Sequence, residues 1–324
     1  MKPIEITSFG RLPDGRATRL FSLRAPGGFQ VDVSDFGGAI VRLLTPDRNG
    51  QLGDVVLGFD SAARYAAQQA YIGTLIGRVG NRIAAGRFTL DGKTYTLPTN
   101  NAPAGIPCCL HGGPGGFHQV LWEAETVGDA AVRLSHVSPD GAEGFPGRLT
   151  VAVTFTVTER ELRLDYEAAT DRPTPVALTH HAYFNLAGEG LGPITGHELE
   201  LRAAAFTPVT PGLIPTGRIE SVAGTALDFT TARAVGARID AAEEQLARAG
   251  GYDHNFVLAR AARARPETAA IVHDPITGRR LEVLTTEPGV QFYSGNFLDG
   301  SLVGKSGRAY GRRSGFCLET KAAT

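Results

Sequence analysis

Cysteine is scarce in this chain of 324 residues: Cys108, Cys109 and Cys317 are all it has. Three thiols with no C-x-x-C spacing make neither a disulfide framework nor a cysteine-ligated zinc site, and they suit a reducing compartment. A charge excess is missing too. Lys and Arg number 32 against 33 Asp and Glu, a formal net charge of -1, so no global field draws the chain to nucleic acid or to an anionic membrane. No apolar run approaches the ~18 residues of a membrane span, and Met1 to Ile6 carries no apolar core of a secretory signal. These absences read as a soluble, cytoplasmic protein with neither nucleic acid nor membrane among its partners. Nucleotide signatures are absent as well: no G-x-G-x-x-G follows a strand and opens a helix, and there is no Walker segment. No G-x-S-x-G elbow occurs, and Cys108-Cys109 reads as part of a Pro-rich loop rather than a helix N-terminus, so nucleophilic hydrolysis fits poorly.

What the chain does have is turns. Its 41 glycines and 19 prolines are spread over the whole length with apolar alternation between them, the pattern of many short strands joined by tight turns. Asp91-Gly92 supplies the φ > 0 positions of a hairpin turn between Arg87–Leu90 and Lys93–Leu97. A second pair, Leu149 to Val157 and Leu162 to Tyr166, turns at residues 158–161. Glu198 to Ala203, Leu281 to Thr285, Val290 to Phe297 and Gly315 to Thr320 read as further strands. Helix is expected only at Ser61 to Ala70 and at Ala234 to Ala249, the latter stopped by Gly250-Gly251. With no repeat and no composition break, the expected fold is all-β, one large antiparallel sandwich spanning 1–324 with a few short helices. A chain of this size can bury about 75% of its unfolded surface in one core.

The densest chemistry lies in Thr179-His180-His181-Ala182-Tyr183-Phe184-Asn185, where strand alternation sends the two histidines to opposite faces. One face carries Val176, Leu178, His180, Ala182 and Phe184; the other carries Thr179, His181, Tyr183 and Asn185, all polar, as a wet cavity would require. Four more segments put polar groups beside glycines or inside apolar strands: Gly77 to Ile83, Leu110 to Gly113, Gly251 to Phe256, and Phe316 to Thr320. Taken singly, Arg82, His111 and Asp253 each have a plain reading as an ion-paired, loop or turn residue. Glu319 does not, because a carboxylate on a covered apolar strand needs a cation or a job. Its face partners are Cys317 and Lys321. A carboxylate and a histidine with an Arg, a second His and an Asp suit reversible proton transfer between the oxygens of a polyol. A metal held by His111, His180 or His181, Asp253 and Glu319 is the rival reading. None of these shows a recognised ligand spacing, and adjacent strand histidines cannot face one metal, so no metal is expected.

In this order the five segments resemble the aldose 1-epimerases. So do the turn Ser138 to Gly147, Pro215-Thr216-Gly217 with Gly224 to Phe229, and Gln291 to Phe297; the similarity spans roughly Phe36 to Thr320. The resemblance implies a large β-sandwich binding a small aldose in an open cleft, with no cofactor, in a monomer or homodimer. It implies Glu319 as the base at the anomeric hydroxyl and His181 as the acid at the ring oxygen. Arg82, His111 and Asp253 would hold the sugar, with Asn81, Tyr183 and Gln291 as further contacts. Two departures stand out. His180 replaces a common Asn, and Lys321 replaces the Gln of the family's Leu-Glu-Thr-Gln, with the family's final segment expected to be missing beyond it. The competing expectations are a non-catalytic carbohydrate-binding or sugar-sensing protein, and an epimerase of phosphorylated hexoses with extra cationic residues at the cleft rim.

Overall fold

The computed structural model describes residues 4–258 and 265–322. Short antiparallel strands dominate, as a turn-rich chain dictates. Among the described residues, α-helix is confined to Ala62–Ala67 and Glu244–Ala249, and no helix is long and apolar enough to cross a membrane. The chain divides into two compact units, Met1–Thr45 with Gly58–Leu178, and Pro46–Leu57 with Thr179–Thr324.

In the first unit, Glu5–Arg11, Ala17–Arg24, Gln30–Ser34 and Ile40–Pro46 pair antiparallel in chain order. Glu123–Val127, Ala131–Ser138, Leu149–Val157 and Leu162–Thr170 do the same in a second sheet. Alternation puts Phe21 and Leu23 from one sheet, and Val151, Val153 and Phe155 from the other, at 1% exposure or less. Strand Leu149–Val157 lies against Ala17–Arg24. Burying side chains of this size is worth about 1.5–3 kcal/mol each. The Asp91-Gly92 hairpin forms as the sequence implies, both turn residues having positive φ, 51° and 76°. Two expectations need correction here. Cys108 and Cys109 lie not in a loop but in a buried strand, Cys108–Leu110, paired with Arg82–Ala84. Val176, placed on the apolar face by alternation, is 38% exposed, because regular strand begins only at Thr179.

In the second unit a five-stranded antiparallel sheet runs Glu220–Ser221, Ala205–Thr207, Asp253–Val257, Gly289–Tyr293, Cys317–Lys321. A four-stranded sheet holds Arg233–Ala234, Glu198–Leu201, Glu267–His273 and Arg280–Thr285. Phe229, Tyr252 and Phe292 pack ring against ring at centroid separations of 5.0–5.8 Å. The helix expected over Ala234 to Ala249 shrinks to Glu244–Ala249, closed by Gly250 at φ 67°. Upstream, Gly236 weakens the helix, and the Arg238 guanidinium donates instead to the carbonyls of Thr225 and Asp228, so tertiary contacts override a weak propensity. The strand expected to reach Phe297 ends at Tyr293. The His180 strand is likewise short, Thr179–His180. The extended run continues through isolated bridges of Phe184 to Val56 and to Phe316.

Candidate active site

The chemistry of the second unit is built on one face of the five-stranded sheet. The register sets Asp253 opposite Tyr293 and Tyr293 opposite Cys317; the next row is Asn255, Gln291 and Glu319, and the next Val257, Gly289 and Lys321. Period two sends all nine residues to the same side, while His254, Phe256, Val290, Phe292 and Leu318 fill the other. A strand buried on both faces usually reads apolar throughout. Here one face is instead a polar floor: Glu319 is 3% exposed, Gln291 3%, Asp253 9% and Lys321 1%. Gln291 Nε2 donates to Asp253 Oδ1 at 2.7 Å. Gly289 has an ordinary strand conformation, so its role is space: a Cβ there would sit 2.8 Å from Asn255 Oδ1.

His181 reaches this floor from the extended segment that follows Thr179–His180. Its Nε2 is 3.7 Å from Glu319 Oε1 and its Nδ1 is 3.4 Å from Cys317 Sγ. Tyr183 stacks on the imidazole at 5.0 Å and meets Tyr293 edge-on at 5.9 Å. The alternation read from sequence therefore holds where it matters: His181 and Tyr183 share a side and are buried, whereas His180 is half-buried. Burial raises the Tyr183 phenol and the Cys317 thiol well above their ordinary pKa values, helped by the neighbouring Glu319 and Asp253, so both stay protonated at neutral pH. An imidazole and a carboxylate this close, and both buried, can exchange protons with oxygen atoms of one small molecule.

The first unit gathers Asn81, Arg82 and His111. Arg82 opens strand Arg82–Ala84, opposite Leu110, so His111 emerges from the partner strand's end. The two chains then lock reciprocally: His111 N–H donates to the Asn81 carbonyl, and Asn81 N–H donates to His111 Nδ1, both at 3.1 Å. With Nδ1 accepting, neutral His111 carries its proton on Nε2, which makes it a donor toward a ligand oxygen. Both residues pay in backbone strain, with φ of 68° and 54°. Arg82 is steadied by Asn101 Oδ1 at 3.1 Å and by Asn81 Oδ1. The ring of Tyr71 lies edge-on between His111 and His118 at 4.6 and 4.7 Å, and its hydroxyl accepts from Asn100 Nδ2. Asn100 in turn clamps both backbone groups of Leu110. Burial pushes the Tyr71 phenol to about 12. The nearby thiols are inert, since burial raises Cys108 and carries Cys109 to about 12.

Each unit thus brings its own share of the expected site residues together. Tyr71, Asn100, Asn101 and Tyr293 support them and were not singled out from the sequence; nothing in local pattern ties Asn101 to Arg82 across 19 positions.

Comparison with known proteins decides the family. The aldose 1-epimerase family model matches residues 19–323. The chain is 47% identical to a galactose mutarotase of Rattus norvegicus, covering 99% of this chain and 90% of that one. It is 37% identical to an aldose 1-epimerase of Escherichia coli strain K12, over 95% and 87%. The chain belongs to the aldose 1-epimerase family. Membership makes it an isomerase that interconverts the α and β anomers of an aldose. Among solved structures it is similar to an aldose epimerase homologue from C. elegans, with TM-score 0.82 and 31% identity over 94% of this chain and 90% of that one. A galactose 1-epimerase from Lactobacillus acidophilus NCFM shares the fold at TM-score 0.84 and 23% identity, over 100% and 91%.

Proposed function

We propose that His181 and Glu319 are the acid and base of this aldose 1-epimerase, and that free hexoses of the galactose and glucose type are its substrates. The observation that carries the reading is the buried His181–Glu319 pair, 3.7 Å from ring nitrogen to carboxylate oxygen, on a sheet floor otherwise free to be apolar. Glu319 takes the proton of the anomeric hydroxyl while imidazolium His181 gives its Nε2 proton to the ring oxygen. The C1–O5 bond breaks and C1 becomes an aldehyde. Rotation about C1–C2 presents the other carbonyl face. Reclosure returns the O5 proton to His181 and the Glu319 proton to the new anomeric oxygen, leaving protein and proton count unchanged.

Sugar hydroxyls are held in this reading by Asp253, Gln291 and Tyr183 of the second unit. Asn81, Arg82 and His111 of the first have the same task, His111 donating from Nε2. The reaction needs no cofactor, and the protein works in the cytoplasm on a small free sugar as a monomer or homodimer, with residues 1–324 read as one aldose 1-epimerase domain.

Polarimetry on freshly dissolved α-D-galactose and α-D-glucose tests the reading directly. Acceleration of mutarotation over the spontaneous rate is expected; sugar binding without acceleration would identify a sugar-binding or sensing protein instead. Activity is also expected to survive exhaustive chelation, because acid and base are both side chains of the chain itself. Loss on EDTA with recovery on zinc or manganese would move the histidines and carboxylates into ligand roles.

A further inference from the structure

Ring opening and reclosure ask His181 to give a proton and take it back at the same atom. That atom is Nε2, which lies on the Glu319 side; a neutral ring that kept its proton there could not accept another at that position. The other ring nitrogen must therefore hold its own proton throughout. Histidines that work this way usually have an acceptor at Nδ1 to fix the tautomer. In this protein the group at Nδ1 is the Cys317 sulfur, at 3.4 Å, with both residues buried. The contact by itself admits either group as donor.

We infer that Cys317 is a positioning residue for the general acid, its sulfur accepting Nδ1–H from His181 in both the charged and the neutral state, so that proton exchange is confined to Nε2. The sheet explains how the thiol gets there. Cys317 and Glu319 alternate onto the same face of one strand, so the group that orients the acid and the base that works with it share one rigid backbone. The chemistry explains why a thiol suits the position. A carboxylate at Nδ1 would accept as well, but its charge would hold the imidazolium proton more tightly and make a weaker acid. A thiol kept protonated by burial and by the nearby Glu319 and Asp253 orients the ring without adding charge. This inference rests on His181 being the acid.

The test compares Cys317→Ala, which removes the acceptor, with Cys317→Ser, which restores an oxygen that can accept. Cys317→Ala is expected to lower kcat about 5- to 10-fold, the worth of one net hydrogen bond, with KM within about twofold of wild type. Cys317→Ser should recover most of that loss. Nitrogen-15 NMR of His181 in the wild-type protein supplies a readout independent of variant folding: the neutral ring should be protonated on Nδ1, and Cys317→Ala should shift it toward the Nε2 tautomer. An Nε2-protonated wild-type ring would overturn the inference, as would wild-type kcat in Cys317→Ala or a loss that Cys317→Ser fails to recover. His181→Asn separates the two levels of argument. If it keeps full turnover, the acid assignment itself fails and takes this inference with it; if it is inactive while Cys317→Ala is fully active, only the role of Cys317 falls.

Discussion

At the scale of the residue, adjacent histidines make an internally controlled experiment. His181 faces Glu319 and Cys317, and His180, one residue earlier, emerges on the other side of an extended backbone. His181→Asn is expected to lower kcat by about 10²- to 10⁴-fold, the usual worth of general acid catalysis, while His180→Asn stays close to wild type in the same polarimetric assay. Equal losses would mean that the two rings share one task. Glu319→Gln keeps shape and most hydrogen bonding but removes the proton acceptor. A fall in kcat of at least about 10²-fold with nearly unchanged sugar affinity is expected, since the lost interaction belongs to the transition state. Affinity can be followed by titration calorimetry, which would expose a misassigned base as full turnover with the carboxamide in place.

At the scale of the element, register does the positioning. Cross-strand neighbours at rows Asp253–Tyr293–Cys317 and Asn255–Gln291–Glu319 hold six hydrogen-bonding groups on one face, and a one-residue slip of any of the three strands would turn that strand's pair to the opposite face. Two glycines show what that precision requires. Gly92 sits in an exposed hairpin at φ 76° with no atom within 4 Å of an added Cβ, so Gly92→Ala should cost about 1 kcal/mol of stability through backbone strain and leave kcat alone. Gly289 has no positive φ, yet its Cβ would meet Asn255 Oδ1 at 2.8 Å and the Lys321 carbonyl at 3.2 Å. Gly289→Ala is therefore expected to cost about 1–3 kcal/mol by overpacking and to lower turnover as well, because the displaced amide stands in the Glu319 row. Urea denaturation and initial mutarotation rates measured on both variants would separate strain from displacement.

At the scale of the whole molecule, the interior keeps two further histidines neutral. Burial lowers His197 and His254 to about 4, each against the pull of a nearby aspartate, and both lie at 2% exposure or less. The folded pKa lies below the ordinary value of about 6.5, so the unfolded chain binds more protons between those limits. Stability from each group is complete above pH 6.5 and is lost as pH falls toward 4, by roughly 3 kcal/mol at most per residue. The denaturation midpoint should accordingly drop over that window. His254→Phe, if it folds, should flatten the slope; an unchanged slope would mean that other groups dominate acid unfolding.

The sequence by itself determined the class of structure and most of the candidate site. Period-two alternation and paired turn residues are local signals, and they were enough to place the hairpins at residues 87–96 and 149–170, and to put His181 and Tyr183 on one side and Glu319 in company with Cys317 and Lys321. Where local signal was weak, contacts distant in sequence decided. The helix-prone stretch that begins at Ala234 gave way to a strand pairing of Arg233–Ala234 and to Arg238's bonds with distant carbonyls, and the Cys108-Cys109 loop became a strand because Arg82–Ala84 offered it a ladder. Tertiary structure alone set the distances on which chemistry depends: His181 against Glu319 and Cys317 across 138 and 136 positions, and the Asn81–His111 lock that fixes which nitrogen carries the proton. Alternation fixes the side of a strand on which a group stands, since it follows from chirality at each Cα; which group stands opposite is a property of the register, and register is settled only when the strands meet.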